Sequence, residues 1–158
     1  MRGPQCSGLL LGRKDLIESA MLAISPNDGI GRGMKVGKEE IIGLMAAVQR
    51  YLKVDQAREL EELESRVADM VGELSKLNGL KLARFVPEIA NHVPHVNLTW
   101  EEGGFPMTAE AVATRLLEGD PPIAVAQRGE RELRISVWMM RPGEHRVVIK
   151  RLQQIFAA

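Results

Sequence analysis

The chain has 158 residues, 45% of them hydrophobic, and its 21 basic residues balance its 21 acidic residues to a formal net charge of zero. A chain of this length and composition can fold as one soluble domain. Because a neutral chain has no overall field that attracts nucleic acid or an acidic membrane, we expect neither as a partner. One cysteine leaves no internal disulfide, and the apolar runs are too short to span a membrane, so we expect a cytoplasmic protein.

The first half of the chain is predicted to form one short strand followed by three helices. Gly8–Leu11 is an apolar run between glycines, which is typical of a strand buried on both faces of a sheet. Apolar residues at helical spacing then predict helices from Arg13 to Ile24, from Gly37 to Leu52, and from an N-cap at Asp55 to a C-cap at Asn78–Gly79.

The third of these helices has the most regular pattern in the sequence. One narrow apolar stripe faces a row of glutamates, which favours a helix packed on its own domain, with a short coiled coil as the alternative. We therefore expect this stripe to be buried. Its members are Leu60, Leu63, Val67, Met70, Leu74 and Leu77.

In the second half the apolar period changes from helical to two, which indicates strands. Thr108 is a predicted N-cap of a helix that runs through Leu117, and Pro142–Glu144 is the predicted start of a final helix. Half-exposed strands favour an antiparallel or mixed sheet covered by helices on one face, an α+β layer. The predicted strands are Leu80–Leu82, Val96–Trp100, Ile123–Val125 and Leu133–Met139, the last two joined by a turn at 128–131.

A basic, glycine-rich loop at residues 29–38 is the best functional candidate in the sequence. Arg32, Lys35 and Lys38 follow a turn and precede the N-terminus of a helix, where free N–H groups favour an anion. Glycines let a backbone approach a ligand closely. The alternative is a loop whose cations are merely solvated.

Other reactive side chains point to no site. Cys6 has no histidine or carboxylate close in sequence and precedes an apolar run, so we expect a packing role rather than a nucleophile. His92 and His95 are separated by Pro94, which disfavours the helix that would bring them to one ion, and we expect no metal site.

Three motifs resemble a known enzyme family. They are Gly3-Pro4-Gln5, the Arg32-x-Met34-Lys35-Val36-x-Lys38 pattern and Gly119–Ile123. The chain is similar to the pyridoxal-phosphate enzymes of aspartate-aminotransferase-like fold, fold type I, in the family of D-glucosaminate-6-phosphate ammonia lyase and bacterial selenocysteine synthase. The resemblance implies an α/β to α+β chain with three parts: the end of the large cofactor-binding domain at 1–36, a helical connection at 37–78, and a small C-terminal α+β domain at 79–158.

The resemblance also implies roles for single residues. The family's Schiff-base lysine would lie upstream of Met1, so we expect no catalytic residue in this chain. Arg32 and Lys35 would bind the anionic end of a substrate, although Lys35 departs from the arginine of the closest motif and loses its planar, two-pronged geometry. Gly3, Pro4 and Gln5 would lie near the cofactor, or would only turn the chain toward the predicted strand.

The function implied is that of a C-terminal fragment of a pyridoxal-phosphate-dependent lyase or transferase. The intact enzyme would carry out an ammonia-lyase-like β-elimination on an anionic amino acid or amino-sugar acid, and would form a homodimer or larger homo-oligomer. We expect this chain alone to bind no pyridoxal phosphate and to be inactive. The alternatives are a selenium-transferase-like enzyme that uses seryl-tRNA, and a non-catalytic dimerisation or interaction domain.

Overall fold

The structure is a computed structural model that describes residues 2–89 and 92–157. The chain divides into two compact units between Asp55 and Gln56. This division does not decide the predicted domain limits of 1–36, 37–78 and 79–158, which stay predictions. None of the helices described is long and apolar enough to cross a membrane.

The first unit contains the first two predicted helices. Helix α1 spans Lys14–Ala23 and helix α2 spans Lys38–Tyr51, and a single 3₁₀ turn, Arg32–Met34, lies between them. Both predicted helices are confirmed to within one residue at each end. Apolar spacing thus defined them well, and the glycine-rich loop forms their connection.

The strand predicted at Gly8–Leu11 is wrong for this chain. The segment has no regular structure, and Leu9, Leu10 and Leu11 are 49%, 64% and 79% exposed. A strand requires a neighbour to accept its backbone hydrogen bonds, and the first unit, as far as it is described, contains no other strand. The segment therefore has the sequence pattern of a buried strand, but the described part of the first unit contains no sheet in which it could be buried.

The first unit has almost no core of its own. Among its described residues only Gly31 and Ala47 are buried. Of the 20 large hydrophobic residues that are exposed in the described chain, 15 lie before Asp55. Cys6 is also exposed, so the predicted packing role is wrong, because the apolar run beside it is itself unburied.

The second unit is built on a four-stranded antiparallel sheet. Its spatial order is β1-β2-β4-β3, which confirms the predicted α+β architecture. The predicted strand at Ile123–Val125 is displaced, because the Ile123 N–H donates to Leu116 O at 2.9 Å and this segment covers the end of a helix. The strands are β1 Leu80–Phe85, β2 His95–Trp100, β3 Ala126–Gly129 and β4 Glu132–Ser136.

Three helices cover the sheet: α3 Gln56–Leu74, α4 Ala109–Leu117 and α5 Glu144–Phe156. Thr108 caps α4 as predicted, since its side chain accepts a hydrogen bond from Ala111 N at 3.2 Å. Helix α3 ends at Leu74 rather than at the predicted Asn78–Gly79. A tighter Leu77 N–H to Leu74 O bond closes the helix early, and Gly79, with φ of 83°, makes the turn into β1 instead.

One hydrophobic core joins α3, α4 and α5 to one face of the sheet. On α3 the predicted stripe is confirmed: Leu63, Val67, Met70 and Leu74 are buried, while Leu60 at its start is 46% exposed. The side chain of Arg66 donates to Val137 O and Met140 O and holds the β4–α5 connection against α3. The second unit therefore folds around contacts that are all its own.

Candidate functional site

The glycine-rich loop of the first unit closes back onto the end of α1. The Gly31 N–H donates to Ala23 O at 2.7 Å. A Cβ at Gly29 would overlap the Ala23 backbone, and a Cβ at Gly31 would lie 3.0 Å from the Ile24 Cγ2. These glycines are explained by close approach to α1, so the loop's composition does not require a ligand.

Arg32 is held by acceptors of its own loop. Its Nε lies 3.2 Å from Asp28 Oδ1, and its NH1 donates to Pro26 O and, at 3.4 Å, to Asn27 O. The side chain is still 54% exposed. An incoming anion would therefore compete with Asp28 for a guanidinium that is already oriented.

Acidic side chains already face the N-terminus of α2. The N-cap is Gly37, and the carboxylates of Glu39 and Glu40 lie where a Cβ at Gly37 would point. They supply the negative charge that a helix N-terminus favours. Lys35 and Lys38 are exposed beside them. The predicted role of Arg32 and Lys35 in substrate binding stays a prediction.

The Gly3-Pro4-Gln5 segment packs on α2. A Cβ at Gly3 would lie 3.3 Å from the side chains of Leu44 and Ala47, and a Cβ at Gly43 would lie 2.6 Å from Pro4 Cγ. The chain turns just after this contact, where Ser7 Oγ donates to Pro4 O at 2.6 Å. The small residues Gly3 and Gly43 thus allow the segment to lie close against α2. The predicted position of Gly3, Pro4 and Gln5 near a cofactor stays a prediction.

An apolar groove of about 540 Å³ opens beside this contact. The 7–9 segment, Ile24, Val36 and the 41–49 face of α2 line it. An apolar groove left open to water costs free energy in proportion to its area. The apolar surface of this groove would be stabilised if another part of a protein covered it.

Sequence analysis missed Arg134, on the face of the sheet opposite the core. Its Nε donates to Asn97 Oδ1 at 2.8 Å, and its guanidinium carbon lies 3.7 Å from the centroid of the Phe85 ring. Phe85 in turn packs edge-on against His95. Among the described residues no carboxylate pairs with Arg134. Neutral partners thus fix an arginine whose charge is uncompensated, an arrangement suited to binding an anionic group.

The register of two strands creates this arrangement. Asn97 of β2 lies directly opposite Arg134 of β4, while the neighbouring pair Leu98 and Leu133 points into the core. The sequence contained half of the signal, because Arg134 stands between two apolar residues that alternate toward the core. The pairing with Asn97 depends on register, which one sequence does not define.

The lysines of the chain lie at its surface. All seven lysines of the chain are exposed, and Lys14 lies 3.7 Å from Glu18 with its side chain 90% exposed. A Schiff-base lysine requires a cleft that orients it and excludes water. Within 2–89 and 92–157 there is likewise no cluster of three or more metal-ligating side chains.

The chain is similar to parts of two longer proteins, although no protein-family model matches it. It is 27% identical over 157 residues to 5'-C-glycyluridine monooxygenase-decarboxylase of a Streptomyces species, covering 98% of this chain and 39% of that protein. It matches the structure of D-glucosaminate-6-phosphate ammonia-lyase with a TM-score of 0.61 and 21% identity, covering 82% of this chain and 34% of that one.

The structural match confirms the predicted fold class and the fold to which the sequence motifs pointed. Both matches are partial in length. The chain spans about two fifths of the Streptomyces protein and about one third of the ammonia-lyase chain. Neither comparison tests the residue roles inferred for Arg32, Lys35 and Gly3–Gln5, or the likeness to selenocysteine synthase.

Proposed function

We propose that this chain is the C-terminal part of a pyridoxal-phosphate-dependent lyase or transferase that acts on an anionic amino acid or amino-sugar acid. The sequence alignment supports this, because it runs along 98% of the chain inside a longer protein. The expected location is the cytoplasm, and the expected assembly of the intact enzyme is a homodimer or larger homo-oligomer.

The observation that carries the proposal is the missing core of the first unit. Fifteen large hydrophobic residues of this unit are exposed, and Gly8–Leu11 has the sequence of a strand buried on both faces but no sheet around it. A monomeric soluble protein rarely leaves so much apolar surface in water. We infer that the rest of the enzyme supplies a parallel sheet that covers α1, α2 and this segment.

In such an enzyme the chain's own task is to bind the substrate's anionic groups. In the first unit Arg32 and Lys35 supply positive charge in the 29–38 loop. In the second unit Arg134 is a separate candidate, whose guanidinium Phe85 and Asn97 hold in place. The cofactor, when bound, withdraws electrons from the substrate carbon that loses its proton. Residues outside this chain would hold it, since every lysine here is exposed.

A second candidate is a non-catalytic dimerisation or interaction domain. The observation that favours it is the second unit, which has a complete core of 17 buried residues among those described and needs no further sheet. A selenium transferase that uses seryl-tRNA has less support, because a chain with a net charge of zero has no overall field that attracts tRNA.

The decisive experiment adds the residues that the gene encodes in frame upstream of Met1. If the proposal is right, the longer protein binds pyridoxal phosphate through a lysine outside this chain and shows the visible absorbance of the bound cofactor. A longer protein that folds and binds no pyridoxal phosphate would overturn the proposal and leave the interaction-domain alternative.

A further inference from the structure

A positively charged cleft lies in the second unit, between α5 and the connection from α4 to β3. It has a volume of about 430 Å³. Arg146, Lys150 and Arg151 line it from α5, and Asp120 lines it from the connection. Arg146 and Lys150 are four residues apart and lie on one side of the helix, and Arg151 reaches the same cleft from the adjacent position.

Arg151 is seated by a glycine. Its guanidinium lies against Gly119, and a Cβ at that position would overlap it. The Nε of Arg151 is buried and has no acceptor, and the side-chain hydrogen bond from its NH1 to Gln154 Oε1 is long, at 3.4 Å. Arg151 thus lines the cleft with a guanidinium that is fixed in place and can donate hydrogen bonds to an anionic oxygen there.

The charges of the cleft are not balanced from within. None of the three cations forms an ion pair with any residue in the described part of the chain, and Asp120 is the one carboxylate in the lining. Arg146 and Lys150, four residues apart, carry like charges that repel each other. An anion in the cleft would relieve that repulsion.

Carboxylates on the far side of α5 are engaged elsewhere. Asp69 and Glu73 of α3 line a neighbouring cleft with Arg146 and Lys150. However, Asp69 Oδ2 lies 3.3 Å from His145 Nε2, and Glu73 Oε1 accepts from Lys76 Nζ at 2.7 Å. Each of these two carboxylates therefore has a partner other than Arg146 and Lys150.

We propose that Arg146, Lys150 and Arg151 form a binding site for a phosphate-bearing small molecule, independent of the function proposed above. Three cations around a cleft of this size suit a diphosphate or a phosphate monoester better than a single carboxylate. The alternative to ligand binding by Arg151 is a structural role. Its charge lies at the C-terminal end of α4, where a cation stabilises the helix.

The test is a calorimetric titration of the full chain with pyrophosphate, which stands in for the phosphate group. Wild type binds saturably, and Lys150→Gln and Arg151→Gln each raise the dissociation constant by about tenfold. Gly119→Ala, which displaces the Arg151 guanidinium and keeps its charge, also weakens binding. The matched control is Arg128→Gln, which removes an equal charge from an exposed residue of β3 and leaves the dissociation constant within about twofold.

Two results would overturn the site. One is a wild-type chain that shows no saturable binding of pyrophosphate, with Arg151→Gln only lowering the melting temperature, which leaves Arg151 as a cap of α4. The other is a loss of affinity for Arg128→Gln as large as that for Lys150→Gln, which means nonspecific attraction. Lys150 is exposed, so its variant tests binding apart from stability.

Discussion

Arg84 on β1 forms a two-point ion pair with Glu64 on α3, with its Nε 2.7 Å from Glu64 Oε2 and its second nitrogen on Oε1. The pair joins the edge strand to the helix that covers it. The hydrogen bond from Arg84 holds the pKa of the Glu64 carboxyl below its ordinary value of 4.5, against the opposing effect of burial. The ion pair between Arg84 and Glu64 therefore makes the stability of the second unit depend on pH.

The first prediction concerns that pH dependence. A lowered folded-state pKa means that the pair stabilises the fold above pH 4.5, the ordinary value, and that this contribution is lost as pH falls through the lowered pKa of Glu64. At neutral pH Arg84→Gln should cost less than about 1 kcal/mol, because the pair is partly exposed and screened. Urea unfolding of both proteins at neutral and acidic pH measures it. A difference that stays constant down to acidic pH would contradict this role.

The second prediction concerns the apolar face of α3. Val67 is 2% exposed, so Val67→Asp buries an unpaired charge and should cost several kcal/mol, about enough to unfold a marginally stable domain. Glu62→Ala, on the solvent side of the same helix, should change stability by less than about 0.5 kcal/mol. Circular dichroism during thermal unfolding compares the two. Equal melting temperatures would mean that α3 does not pack as described.

The third prediction separates the two units. A fragment that begins at Gln56 keeps all 17 buried core residues of the second unit and should unfold cooperatively at a melting temperature within a few degrees of the full chain. A peptide of residues 1–55 should show no cooperative transition, because it has no comparable core. If the fragment 56–158 proves unfolded, the second unit depends on the first, and the division at Asp55 is not a folding boundary.

The fourth prediction concerns the chain's lysines. Because all seven are exposed, pyridoxal phosphate followed by borohydride should label several of them weakly and none stoichiometrically. Peptide mapping by mass spectrometry reports the distribution. One dominant adduct on a single lysine would contradict the inference that the cofactor's lysine lies outside this chain.

The fifth prediction concerns the anion-binding residues in the longer enzyme. Arg32→Ala should lower kcat/KM on an anionic substrate by about ten- to a hundredfold, since a charge-assisted contact contributes roughly 1.5–3 kcal/mol. Lys35→Ala should act in the same direction, and neither should move the melting temperature by more than a few degrees, because both side chains are exposed.

Arg134→Lys is the matched test on the sheet. It keeps the charge but loses the planar group that stacks on Phe85 and bonds to Asn97, so kcat/KM should fall by about tenfold or more. Arg128→Lys, an exposed arginine on the neighbouring strand, is the control and should behave as wild type. Full activity in Arg134→Lys would leave Arg134 as a structural link between β2 and β4.

Local patterns in the sequence predicted most of the fold. The helices at 14–23, 38–51 and 109–117 follow from apolar spacing and caps, which act over a few residues. What escaped prediction depends on distant neighbours. The Arg134–Asn97 contact joins residues 37 apart through strand register, and Gly8–Leu11 lacks the sheet its sequence calls for.

The candidate site was harder to predict for the same reason. A cluster of glycines and cations at 29–38 is consistent with a ligand, but the structure shows that Gly29 and Gly31 allow the loop to approach Ala23 and that Arg32 bonds within the loop. Residue types define the chemistry that is available. The geometry decides how much of it is already used.

The position of α5 as the last element of the second unit has a consequence during synthesis. Four of its apolar side chains complete the core, the last of them at Ile155, so the second unit cannot close until α5 has been synthesised. Until then the apolar faces of α3 and the sheet remain uncovered on the ribosome. A premature stop before α5 would release a product with an open core.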